Sequence, residues 1–364
     1  MSTGPLHGVR VLELAGIGPG PMACRLLAEL GAEVVRVTRP GQPGDFAEPV
    51  SLRGRREITL DLKSPQGVAT FLALVERADV VIDPYRPGVV ERLGIGPEDC
   101  LGRNPRVVYG RMTGWGQDGP WARVAGHDIN YLSVTGALEA IGEPEGPPQI
   151  PLNLLGDFGG GSLYLLTGIL AALHERSVSG RGQVVDAAIV DGVASLSGFI
   201  HGLRGIGAWS DGRGVNLLDG GAPFYDVYRT ADDRWMAVGA LEPQFYAELV
   251  RLLELTDLPD QHDRARWPEL RERLSARFAE RTQQEWATLF AGTEACVSPV
   301  LTWAEAVEHP QVGGRGTLTE VDGTVVPAPA PRFSRSTTSV PSPAREAGAD
   351  TEAVLRDWGV GANG

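Results

Sequence analysis

Four short apolar segments, Val9–Glu13, Glu33–Val37, Val80–Asp83 and Val107–Gly110, recur through the first third of the chain with helical stretches between them. Each reads as a buried strand. Alternation of strand and helix predicts a parallel sheet with helices on its faces, an α/β architecture of the Rossmann-like kind. The local punctuation agrees. A Gly/Pro turn, Gly16 to Pro21, leads into a helix over Met22–Leu30 that Gly31 closes, and Ser64-Pro65 opens a helix over Lys63–Ala78. Further on, Asp157–Glu175 reads as a long apolar helix, Gln183–Ala187 as another strand, and Ile189 opens another helix.

The pattern changes in the second half. We expect a large domain over residues 1–190 and a linker over 191–223, Gly/Asp-rich between Asp211 and Gly221. A smaller α+β domain is expected over 224–327. It begins with a hairpin, Phe224–Tyr228 and Trp235–Val238, and continues in helices such as Pro243–Leu253 and Trp267–Arg281. The Pro/Ser-rich segment 328–364 cannot bury much of itself. It ends in a short helix, Thr351–Trp358, and is expected to complete the large domain.

A length of 364 residues suits two folding units, and no internal repeat is visible. The net charge of −13 argues against non-specific binding to nucleic acid or to an anionic membrane. The three cysteines, Cys24, Cys100 and Cys296, are far apart and follow no metal spacing. They read as reduced thiols, and the expected location is cytoplasmic. The N-terminus has no signal-peptide pattern. No apolar run is long enough for a membrane span; the longest, around Leu163 to Leu173, reads as a buried helix.

The turn Gly16-Ile17-Gly18-Pro19-Gly20-Pro21 is a poor dinucleotide fingerprint. Its two prolines remove N–H groups that would face a pyrophosphate, and the second strand leads to Arg39 where a ribose-binding acid would stand. It serves as a tight strand-to-helix turn or borders a channel for a flexible anionic chain. Basic residues cluster near strand ends: Arg39, Arg53, Arg55, Arg56, Lys63, Arg86 and Arg92. An arginine fork suits phosphate, although solvated surface charge explains any one of them equally well.

Two runs carry the chemistry, Gly126-His127-Asp128-Ile129-Asn130-Tyr131 and Gly156-Asp157-Phe158-Gly159-Gly160-Gly161. Each sets one proton carrier in a glycine-flanked turn. Asp157 could simply cap its helix. The three glycines after it would equally let a ligand approach the helix N-terminus, whose N–H groups can stabilise an anion. Glu242, at a strand end before Pro243, could likewise be a capping acid.

These runs, with Glu13-Leu14-Ala15-Gly16, Tyr85-Arg86-Pro87-Gly88-Val89, Arg111-Met112-Thr113-Gly114-Trp115-Gly116-Gln117 and Ala240-Leu241-Glu242-Pro243-Gln244-Phe245-Tyr246, resemble the α-methylacyl-CoA racemases of the class III CoA-transferase family, nearly end to end. The segment Phe46 to Arg56 is less clearly matched. The resemblance implies a Rossmann-like large domain, a small α+β domain and an intertwined homodimer. It implies His127, Asp157 and Glu242 as catalytic residues, and CoA contacts at Arg39, Lys63, Tyr85, Arg86, Arg92 and Asn153. It further implies cofactor-independent two-base inversion of 2-methylacyl-CoA thioesters through an enolate, with CoA as part of the substrate and no metal. The rival chemistry is CoA transfer between carboxylates with Asp157 as nucleophile. An acyl-CoA-binding regulator with a degenerate site is the non-enzymatic alternative.

Overall fold

The computed structural model describes residues 4–41 and 50–361, so Phe46 lies outside the described residues. The chain divides into two compact units. The first comprises Met1–Thr135, Pro151–Ser197 and Thr317–Gly364; the second comprises Gly136–Ile150 and Gly198–Gly316. These boundaries differ from the sequence-based ones. Residues 136–150 go with the second unit and 191–197 with the first, and helices occupy the first half of the expected linker.

In the first unit the chain runs β1 (Arg10–Leu14), α1 (Pro19–Glu29), β2 (Glu33–Thr38), β3 (Arg55–Thr59), α2 (Pro65–Val75), β4 (Val80–Asp83), α3 (Val89–Leu93), α4 (Pro97–Arg103), β5 (Val108–Thr113) and α5 (Asp128–Val134). A π-helix (Leu154–Ser162) then continues into α6 (Leu163–Ser179), followed by β6 (Val184–Ala188) and α7 (Ile189–Leu196). All six strands pair in parallel, in the order β3-β2-β1-β4-β5-β6. The order reverses between β1 and β4, and the carboxyl ends of those strands flank the crevice where doubly wound sheets bind ligands.

Strand β3 is absent from the sequence-based reading, because Arg55 and Glu57 on one buried face are charged and Ile58 is its one apolar residue. Arg55 Nε lies 2.9 Å from Glu13 Oε2, and Arg36 Nη1 lies 3.4 Å from Glu57 Oε2, all four side chains being buried. Arg55 and Arg56, which resembled ligand contacts, are thus held by acids of this fold. Arg56 Nη1 reaches Glu33 Oε1 at 2.8 Å and its Nη2 reaches Asp357 Oδ2 at 2.7 Å.

The π-helix and α6 form one helix of 26 residues, Leu154–Ser179, long and apolar enough by length and composition to cross a membrane. That corrects the expectation that no such run exists. Only 33% of its most apolar window is buried, and a core helix passes the same test. Its glycines also have a different task from the one expected. A Cβ at Gly160 would come within 2.8 Å of Val193 Cγ2, and one at Gly161 within 3.1 Å of Ile189 Cγ1. They let α7 pack closely against this helix.

The second unit contains α8 (Gly198–Gly205), β7 (Tyr225–Arg229), β8 (Trp235–Gly239), α9 (Pro243–Leu252), α10 (Trp267–Phe278), α11 (Gln283–Phe290), β9 (Val297–Pro299), α12 (Trp303–Glu308) and α13 (Pro310–Arg315). Strands β7, β8 and β9 form an antiparallel sheet around the expected hairpin. Its core gathers Phe224, Trp267, Phe278, Trp286 and Phe290.

The chain returns to the first unit with the hairpin β10 (Leu318–Val321) and β11 (Thr324–Pro327) and ends in α14 (Thr351–Asp357). Val354 and Trp358 enter the core beside Phe71 and Ile58. Trp358 Nε1 donates to Glu33 Oε1 at 3.1 Å, which lets the indole be buried without an orphaned donor.

Candidate active site

A cleft of ≈ 280 Å³ opens at the sheet's reversal point in the first unit. Four short runs of distant sequence form most of its lining: Ile17-Gly18-Pro19 after β1, Pro84 to Pro87 after β4, Met112 to Trp115 at the end of β5, and Gly126-His127 before α5. Asp157 completes it. The structure thus brings four candidates, His127, Asp157, Tyr85 and Arg86, into one cavity.

His127 occupies the position just before α5. Its backbone N–H donates to Asn130 Oδ1 at 3.0 Å, which fixes the loop and leaves the exposed imidazole without a hydrogen bond among the described residues. The Tyr131 hydroxyl donates to the Gly126 carbonyl and ties down the other side of the turn. Tyr131 also packs edge-on against Trp115, which packs edge-on against Trp121. This aromatic wall, with Asp128, was not singled out from the sequence, although Asp128 and Tyr131 belong to the motif that carries His127.

Asp157 is not the N-cap of its helix. It sits within the first turn of the π-helix, which begins at Leu154. Its backbone N–H donates to Asp128 Oδ2 at 2.7 Å, and the Gly156 N–H contributes alongside. A Cβ at Gly156 would lie 2.2 Å from that same oxygen, so only glycine fits. Those two N–H groups are therefore taken by Asp128, against the expectation that the N–H groups at this helix start would stabilise a ligand's anion. Opposite, Gly18 has φ +68°, and a Cβ there would lie 3.3 Å from Asp157 Oδ2. The Gly/Pro turn thus closes around the Asp157 carboxylate.

Burial, and after it the Asp128 charge, pushes the Asp157 carboxyl up to about 6 against the opposing charge of His127. A base must be ionised to act. The role of base expected for Asp157 from the sequence therefore requires kcat/KM for the substrate it serves to rise with pH through about 6 and level off above it. Asp128→Asn keeps an acceptor for the two N–H groups and removes the neighbouring charge, so the same limb should move to lower pH. An acidic limb that stays in place in this variant would show that Asp128 does not act on Asp157 electrostatically.

The remaining candidates lie outside this cleft. Arg39, Lys63, Arg92 and Asn153 are exposed. Arg92 lies against Gly88, where a Cβ would come 3.1 Å from its Nη1. The Lys63 backbone N–H donates to Asp61 Oδ1, and the Asn153 carbonyl accepts from the Phe158 N–H. Glu242 belongs to the second unit. It stands at the N-cap position of α9, yet its side chain makes no capping bond, so the capping role weighed for it is not the one it performs.

The second unit has a larger cavity, ≈ 720 Å³, that holds none of the candidates. The Arg271 guanidinium on its wall is committed to Asp226 and to the Gly220 and Gly221 carbonyls, so it offers no anion site. Size alone would favour that cavity; the paired proton carriers favour the smaller cleft.

Comparison with known proteins agrees with the geometry. Residues 6–351 match the family described as CoA-transferase family III. The chain is 49% identical to the mouse alpha-methylacyl-CoA racemase and 46% identical to the human one. Each alignment covers 97% of this chain and 93% of the relative. The crystal structure of Rv3272 from M. tuberculosis superposes with a TM-score of 0.81 at 28% identity, covering 96% of this chain and 98% of that one. A nearly full-length match, a parallel sheet in the doubly wound order and two proton carriers in its crevice lead to one statement: the chain belongs to CoA-transferase family III.

Proposed function

We propose that this chain is an isomerase that inverts the 2-methyl centre of 2-methylacyl-CoA thioesters. The observation that carries the reading is the placement of His127 and Asp157 in one cleft, with the Asp157 carboxyl raised to about 6 by burial. One residue removes the α-proton to give an enolate, and the other returns a proton to the opposite face. Atoms balance without an oxidant, a reductant or a second substrate. The relatives named as racemases support the substrate class. In this reading Glu242 would orient and stabilise the protonated imidazole, the role a carboxylate plays beside a catalytic histidine.

The test is incubation of one pure epimer of a 2-methylacyl-CoA in deuterium oxide, with and without a free carboxylate acceptor. Both epimers should appear, deuterated at C2, whether or not the acceptor is present. Movement of CoA to the acceptor without epimerisation would assign the chain to acid-to-acid CoA transfer, with Asp157 as nucleophile.

Arg39 and Arg86 follow strand ends β2 and β4, where a phosphate-bearing handle would lie. Their contacts would be equal in the ground and transition states. Arg39→Ala and Arg86→Ala should therefore raise KM for acyl-CoA about tenfold with little change in kcat. An unchanged KM in both variants would remove them from the CoA site.

We further propose that two copies interlock. Helix α8 has no buried residue, Phe199 and Ile206 are 65% and 78% exposed, and the 26-residue helix leaves Leu154 and Leu163 uncovered. Apolar surface of this kind is stabilised by covering it with another chain. In such a dimer Glu242 would reach His127 from the second copy. Refolding inactive His127→Ala together with inactive Glu242→Gln should then restore part of the activity. No recovery in proven heterodimers would place each site within one chain.

A further inference from the structure

Arg111 opens the segment Arg111 to Gln117, which the resemblance singles out; Met112 to Trp115 line the cleft, and the chemistry above gives Arg111 itself no role. It sits on β5 directly opposite Asp83 on β4 and Asp186 on β6, so the three side chains share one face of the sheet. The Arg111 side chain is 9% exposed and Asp83 is fully buried. Arg111 Nε lies 3.6 Å from Asp83 Oδ2, and Arg111 Nη1 donates to Glu91 Oε1 at 2.8 Å. The other Asp83 oxygen, Oδ1, accepts the Tyr85 N–H at 2.9 Å.

The two acids bracket one segment. Asp83 closes β4, and Glu91 lies in the first turn of α3. Between them run Pro84 to Pro87, which line the cleft, and Gly88, whose φ of +83° turns the chain into α3. Arg92 follows Glu91 directly. A buried guanidinium is a stiff fork, and here it donates to Glu91 at one end of the loop and faces the buried Asp83 carboxylate as an ion pair, without a hydrogen bond, at the other.

We propose that Arg111 is a positioning residue for the CoA handle, clamping the Asp83–Glu91 segment from below so that Arg86 and Arg92 meet the CoA phosphates in a fixed geometry. This rests on the reading that the cleft takes an acyl-CoA. Arg111 touches neither the substrate nor the proton carriers; it acts through the loop.

Two variants test it. Arg111→Lys keeps the buried charge and cannot span both acids. Glu91→Ala removes the outer anchor, and because the Glu91 side chain is 44% exposed the fold should tolerate its loss. Affinity for free CoA is measured by calorimetry, and kcat and KM are measured with a 2-methylacyl-CoA and with the matching acyl-pantetheine, which lacks the nucleotide. A misplaced loop should weaken CoA binding and raise KM for acyl-CoA on the order of tenfold, with kcat little changed. The acyl-pantetheine parameters should stay at the wild-type level, an outcome that general loosening of the fold would not produce. CoA affinity unchanged in both variants would overturn the proposal, as would an equal loss with acyl-pantetheine. A wild type that binds CoA without epimerising a 2-methylacyl-CoA would overturn the racemase reading alone, since the CoA-binding measurement still decides the role of Arg111.

Discussion

His127→Ala and Asp157→Asn should each abolish net inversion while sparing α-hydrogen exchange with solvent for opposite epimers. The two carriers line one cleft, and in a two-base reaction each faces one side of the α-carbon. With one base gone, the epimer served by the other can still lose its proton and regain one on the same face. It cannot be reprotonated on the far face. The loss for inversion should fall on kcat and reach about 10³-fold, in the range a positioned acid or base supplies. Exchange followed by NMR in deuterium oxide separates the two half-reactions. Family resemblance assigns His127 to the S substrate and Asp157 to the R substrate. If each variant lost exchange with both epimers equally, the two-base scheme would be wrong and one of the residues would be structural.

Arg55→Met should cost about 3–5 kcal/mol of stability, because it leaves the buried Glu13 carboxylate without its counter-ion. The Arg55 guanidinium also donates to the carbonyls of Arg53 and Pro21, so the loop before β3 and the Gly/Pro turn lose a common anchor. Thermal unfolding should show a fall in Tm on the order of 10 °C. The double variant Glu13→Leu with Arg55→Met should recover much of the loss, since neither member of this buried pair is then left without its counter-ion. A single variant as stable as the wild type, with a raised KM for acyl-CoA, would return Arg55 to the ligand contacts among which its sequence position first placed it.

The contrast between Arg55 and Arg86 shows how far local sequence reaches. Both are arginines near strand ends in an acidic chain. Arg86 lines the cleft, whereas Arg55 is spent on Glu13, 42 residues away. Only the register of β3 against β2, and of β2 against β1, makes that pairing, and nothing near Arg55 in the chain encodes it. For the same reason β3 was missed: its buried face carries charge, so its apolar period is broken.

Strand–helix alternation, the Gly/Pro turn after β1, the hairpin and the two motifs around His127 and Asp157 were all legible, because each is a matter of period, turn chemistry or residue type within a short window. Tertiary structure alone decided three further things. It set Asp157 inside a π-turn with its N–H already given to Asp128. It spent Gly160 and Gly161 on the packing of α7. It placed Arg111 beneath the loop from Asp83 to Glu91. Each depends on atoms that are far apart in the chain and adjacent only after the parallel strands have registered, since in a doubly wound sheet the crevice is assembled from the ends of strands that the sequence keeps apart.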